Sequence, residues 1–240
     1  ARINYSDFSI EGFRPHSQAD RRLAFARGGF NTEHDRIIVT ASHLDQPAQD
    51  PLGLSRAQFD ANPRQTTPQA EQFNTRKNTA QTQTGFSWQR QLSSDALRAF
   101  EVSGYGGRRA VTQWLAVPVA AQASATHPGG VIDFDRNFGG VDTRLHGRLG
   151  PVDLIGGLAY EQQDEDRRGF ENFIGPELGV TGALRRDESN RVSSFDQYLQ
   201  AEWDFASAWR GTLGLRRGDI QFKSADRFLS NGDDSDQRSF

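Results

Sequence analysis

Five histidines, His16, His34, His43, His127 and His146, are the first place to look for metal chemistry. No two of them stand at the close spacing of a helical or hairpin ligand pair, and there is no cysteine to add a thiolate. Neither a metal nor a cofactor is expected. The acidic run Asp164-Glu165-Asp166 could take a calcium ion, but a solvated turn is the simpler reading. Ser103-Gly104-Tyr105-Gly106-Gly107 is glycine-rich without a helix to follow it, so it suits a bend or a close approach better than a phosphate cradle. No G-x-S-x-G elbow is present and no Ser-His-acid set assembles, so no enzyme is expected. The arginines offer more. Arg14, Arg21 and Arg22 form one group, and Arg167, Arg168, Arg185 and Arg186 another. Guanidinium forks suit the carboxylate or phosphate groups of an anionic ligand, although Asp164, Glu165, Asp166, Asp187 and Glu188 lie close enough in sequence to absorb them. Phe59, Phe73, Trp114, Phe170 and Phe173 could stack on a planar ligand or merely pack loops together. The set singled out for ligand contact is Arg14, His16, Arg21, Trp114, His127, Arg168 and Phe170.

What elements would carry these side chains? Only 35% of the 240 residues are hydrophobic, and the mean hydropathy is -0.71. A dry soluble core of this size draws on more aliphatic residues. Disorder is the first rival, but 17 Phe, 4 Trp and 4 Tyr, with 28 basic against 31 acidic residues, argue against it. A transmembrane barrel reconciles these numbers, because its strands turn apolar residues to lipid and polar ones to a wet lumen. No stretch has the roughly 20 apolar residues of a membrane helix. The net charge of -3 gives no case for nucleic acid. There is no methionine, and Ala1 onward is polar and alternating rather than a signal peptide; a segment cut from inside a longer polypeptide is expected.

Period-two alternation is clearest over 79–91, where Gln81, Gln83, Gly85, Ser87 and Gln89 oppose Ala80, Thr82, Thr84, Phe86 and Trp88. It recurs over 191–205 and 209–217, joined by Ala206-Ser207-Ala208. Applied throughout, the test predicts about nine strands, at 1–13, 21–30, 36–44, 78–91, 97–112, 132–148, 153–164, 191–205 and 209–223. Short connections near 31–35, 92–96, 149–152 and 206–208 alternate with longer ones near 14–20, 45–77, 113–131 and 164–190. That rhythm belongs to an antiparallel up-and-down barrel with tight periplasmic turns and long outer loops. Phe86, Trp88, Phe100, Trp203, Phe205 and Trp209 flank short turns, as a periplasmic aromatic girdle should. An odd strand count with free edges predicts part of a barrel rather than a closed one. The stretch 232–238 is charged and reads as a loop despite the terminal Phe240.

Particular segments resemble TonB-dependent outer-membrane receptors. Ser9 to Arg22 reads SIEGFRPHSQADRR, like an early barrel hairpin of that family. Asp50 to Gln65, DPLGLSRAQFDANPRQ, with Asn74-Thr75-Arg76-Lys77, is similar to a long external loop in one subgroup. Arg168-Gly169-Phe170-Glu171-Asn172 and Phe195-Asp196-Gln197-Tyr198-Leu199 carry the same resemblance, which covers most of the chain. It implies an all-β fold: residues 1–240 as part of a 22-stranded barrel, without the plug domain and TonB box that precede the barrel in the family. It also implies an outer-membrane receptor for a scarce ligand, with ferric siderophores or similar iron chelates foremost. Partners would be the TonB–ExbB–ExbD complex, through the absent N-terminal region, together with outer-membrane lipid and lipopolysaccharide. The rival readings are a passive porin or other outer-membrane barrel, and a soluble all-β binding domain.

Overall fold

The structure is a computed structural model describing residues 1–94, 96–229 and 234–239. Ten strands form one antiparallel sheet: β1 (Arg2–Ile10), β2 (Ala19–Asn31), β3 (Asp35–Gln49), β4 (Arg76–Gln91), β5 (Leu97–Trp114), β6 (Val131–Leu149), β7 (Val152–Phe170), β10 (Leu184–Ala206), β11 (Trp209–Asp226) and β12 (Asp234–Ser239). Each pairs with its chain neighbour, and β1 and β12 are the two edges. The small hairpin β8 (Phe173–Ile174) and β9 (Glu177–Leu178) sits in the connection after β7. Helices α1 (Arg56–Ala61) and α2 (Pro68–Gln72) lie in the β3–β4 connection, where Ser55 and Gln58 close a capping box on α1. The expected up-and-down barrel wall, open and partial, is the fold found.

Successive side chains alternate, so each strand has two faces. Tracing one row of hydrogen-bonded partners shows which is which. Phe30 faces Ile37, then Trp88, Val102, Thr143, Leu158 and Gln197. Adjacent rows on this face carry Val39, Phe86, Val141, Tyr160, Phe195, Leu145, Leu199 and Leu215, nearly all well exposed. The opposite face carries Arg36, Gln89, Glu101, Arg144, Gly157 and Tyr198. Among the described residues the buried apolar side chains are only Ala70, Phe73, Ala99, Val111 and Val131, so neither face packs as a dry core. An exposed apolar band on one face, backed by a hydrated polar face, is the surface pattern of a barrel wall with lipid on the first and water on the second.

Aromatic rings mark the short-turn edge of the band. Trp88 meets Phe100 edge-on at 5.9 Å, and its indole N–H donates to Asp35 Oδ1 at 2.8 Å. Trp203 and Phe205 lie 6.1 Å apart beside the next turn but one. A ring in the apolar layer with its N–H on a turn carboxylate is how an interfacial anchor divides itself. Where a ring crosses a neighbouring strand, glycine makes room. A Cβ on Gly104 would come within 2.7 Å of the Phe86 ring, and one on Gly157 would clash with the phenol end of the Tyr198 ring.

The band runs obliquely across the sheet. The row that starts at Phe30 reaches β10 at Gln197, yet the girdle residue there is Trp203, six residues on after six strand-to-strand steps. At the other border, the row of Tyr5 reaches β11 at Lys223, whereas the last apolar outward residue is Leu215, eight residues short after eight steps. Both borders slip by one residue per strand. With a rise of about 3.3 Å per residue and about 4.8 Å between strands, that is a tilt of about 35° to the normal of the band, within the range of closed barrels.

Three corrections concern the elements. The strands number ten in the sheet rather than nine. Residues 234–239 form β12 where a loop was expected; residues 230–233 and Phe240 lie outside the described residues, as does Asp95 in the 92–96 turn. Three strands run well beyond the expected bounds toward the long-loop end: β3 to Gln49, β7 to Phe170 and β10 from Leu184. Beyond the band both faces are polar: on β7, Asp166 and Arg168 point outward while Glu165 and Arg167 point inward, so the period-two signal vanishes although the pairing continues.

Candidate functional site: the inner wall and the long-loop end

The first two long connections are clamped together by one guanidinium. Arg14 donates from Nε to Gln65 O at 2.7 Å, from Nη1 to Leu52 O at 2.8 Å and from Nη2 to Pro51 O at 3.0 Å. His16 Nε2 meets Thr75 O at 2.8 Å. His16, Leu52 and Asn74 are the non-glycine residues at positive φ among the described residues, at 58°, 56° and 44°, and all three belong to this junction. Left-handed backbone costs an L-residue about 1–2 kcal/mol, so the clamp holds a strained arrangement in place.

The third and fourth long connections are locked by amides. Gln122 and Asn172 are essentially inaccessible. Gln122 donates to Asn172 Oδ1 at 2.7 Å, and Asn172 donates to Leu115 O at 2.7 Å and Val117 O at 3.1 Å. Trp114 joins them, its indole donating to Thr181 Oγ1 at 3.2 Å while Arg76 lies 3.7 Å over its ring. Arg76 also donates to Asn74 O and Gly179 O, so it links the second loop to the fourth, and burial pushes its pKa down. His127 sits in the third loop with Nδ1 accepting from Gly129 N at 3.0 Å. Arg185 bonds Glu171 and the Ser124 carbonyl.

Outward, above the band, arginines and aspartates bridge adjacent strands. Arg108 pairs with Asp135 at 2.9 Å, Arg168 with Asp133 at 2.7 Å, Arg191 with Asp164, and Arg227 with Asp187 at 2.6 Å and Asp166 at 3.1 Å. Hydrogen bonds from Gln162 and then Arg191 hold the Asp164 carboxyl below the usual carboxylate range. The hydrogen bond to Asp187 leads the effects that raise Arg227. Arg168 also lies 5.9 Å over Phe170, which shares its face.

Of the seven residues singled out in the sequence, then, Arg14 and His16 meet at the loop clamp and Arg168 meets Phe170 on the outward wall. Trp114 and His127 hold loops, and Arg21, on the inward face of β2, lies 5.5 Å over Phe8. They do not form one constellation. Alternation could have found a different group. On the inward face Gln81, Arg109, Arg136, Glu165 and Asn190 occupy one hydrogen-bonded row across five strands, with Arg167 one row nearer the long-loop end. Arg136 is paired with Glu165, which is nearly buried, and Arg167 Nη1 stands 3.9 Å from the same carboxylate. Arg109 has no ion-pair partner among the described residues, and its Nε is buried without a hydrogen bond.

This is a segment of outer-membrane-type barrel wall with interlocked loops at one end. No family model matches the chain. Solved structures do. The ferric citrate transporter FecA in its unliganded form superposes with a TM-score of 0.77 at 18% identity, covering 99% of this chain and 35% of that one. The open form of the ferric-catecholate import receptor Fiu from E. coli K12 gives 0.73 at 10% identity, over 99% and 46%. The copper transporter OprC gives 0.66 at 14%, over 93% and 33%. The chain thus spans between a third and a half of the length of these structures, and it shares their fold, an antiparallel up-and-down barrel wall, as the sequence resemblance implied.

Proposed function

We propose that the chain forms part of the barrel of an outer-membrane TonB-dependent receptor that takes up a scarce ligand, foremost a ferric siderophore or similar iron chelate. The observation that carries this reading is the combination of a tilted apolar band on one face, a charged hydrophilic inner face on the other, and large interlocked loops at one end only. The structural neighbours, importers of ferric chelates and of copper by their names, support it. In this reading the long loops face the medium, the short turns face the periplasm, and the outward Arg–Asp pairs meet the lipopolysaccharide headgroups. Energy would come from the TonB–ExbB–ExbD complex, acting on a plug inside the barrel. The wall would bind and guide its cargo without covalent chemistry.

The seven mouth residues divide within this reading. Arg21 would contact cargo directly. Arg14, His16, Trp114 and His127 would act through the loops they hold, and Arg168 with Phe170 would brace the wall. Growth of a deletion strain under iron limitation, fed one ferric chelate at a time, tests the proposal. Loss of use of at least one chelate, restored by the gene, is the expected result; undiminished use of every chelate would overturn the iron reading. A porin predicts instead a general loss of permeability to small solutes.

A further inference from the structure

We infer that Arg109, with Arg136 beside it and Arg167 one strand beyond, forms an anion subsite on the inner wall, and that the cargo therefore carries carboxylate or phosphate groups. This rests on the uptake reading above and specifies the cargo's charge. Arg109 and Arg136 are direct cross-strand partners on β5 and β6, with Cβ atoms about 5 Å apart, and Arg167 on β7 is diagonal to Arg136. One carboxylate, Glu165, serves two of them. Its side chain is 8% exposed, so it is committed to Arg136 and Arg167 and unavailable to the third. Arg109 is left with a buried, unbonded Nε and a free fork among the described residues. Inward Arg21, Arg27 and Arg36 on β2 and β3 also lack an ion pair among the described residues, but Arg109 is the one whose Nε is buried without a hydrogen bond, while on the other face of the same strand Arg108 has its own aspartate. Gln81 completes the row with an amide that can donate beside the fork. An oxyanion reaching this height of the lumen would take two parallel N–H bonds from Arg109 and feel the surplus charge of its neighbours.

The test uses the intact outer-membrane protein, purified in detergent, and three probes: ferric citrate and haem, which carry carboxylates, and ferrichrome, which carries none. Affinities are read by tryptophan quenching at several salt concentrations. Arg109→Gln should weaken binding of a carboxylate probe at least tenfold and flatten its salt dependence, with Arg109→Lys intermediate. Arg108→Gln, on the outward face, should change neither. Unchanged affinity for the carboxylate probes in Arg109→Gln overturns the inference, as does binding of ferrichrome alone. Lowered thermal stability of Arg109→Gln with unchanged anion affinity also overturns it, by showing that a protein carboxylate occupies the fork. Binding of none of the three probes overturns it too, and leaves the growth assay to decide the uptake reading separately.

Discussion

A single guanidinium can be a ligand contact or a rivet, and the difference is whether its donors are spent. Arg14 spends its fork and Nε on three backbone carbonyls of another loop, so truncation should act on loop order before it acts on anything else. Arg14→Ala is expected to cost about 1–3 kcal/mol locally. The readout is faster hydrogen exchange and proteolysis within 50–75, with the melting of the sheet little changed. The outward pairs behave differently because they are exposed. The folded-state pKa of Asp164 lies below its unfolded value, so its bond to Arg191 contributes above the ordinary carboxylate pKa of about 3.9 and is lost as pH falls through the depressed value. Amide exchange at the long-loop ends of β7 and β10, corrected for intrinsic rate, should therefore be unchanged from pH 7 to 5 and accelerate below about pH 4. At this scale the sequence was only partly legible. It picked out both Arg14 and His16, but the carbonyls that consume them come from residues 51–75, which no local pattern connects to residue 14. Nor did anything local to Gln122 and Asn172 announce that two amides would become the best-buried polar pair in the loops.

At the scale of a strand, the face decides the cost of a charge. Leu199 and Gln200 are neighbours on β10, the first in the apolar band and the second on the wet side. Leu199→Arg should destabilise by about 2–4 kcal/mol. Gln200→Arg should stay within about 0.5 kcal/mol. Denaturant unfolding of the two variants in bilayers checks the assignment, and equal losses would sink it. Elements were most legible where the two faces differ in chemistry, as over 79–91, where glutamines oppose Phe86 and Trp88. They were least legible beyond the membrane layer, where water wets both faces and alternation carries no information. The outer ends of β3, β7 and β10 were missed for that reason, and β12 because its charged residues read as a loop. The helix α1 left a local trace in Ser55 and Gln58 that went unread beside the stronger strand pattern.

At the scale of the molecule, the borders of the apolar band fix how the wall stands in a membrane. Polarised infrared dichroism on oriented bilayers should give a mean strand tilt of about 35–40°; strands parallel to the normal would contradict the one-residue slip. That same slip also sets a width. Continued at this pitch around the 22 strands of the barrels it resembles, the wall would enclose a bore about 40 Å between opposing backbones. The wall alone cannot measure a small chelate by the width of so large a hole. It is therefore no sieve. What a wall of that width adds to selection it would add by lure, and an unspent inward arginine such as Arg109 is the kind of bait that a wide bore would need.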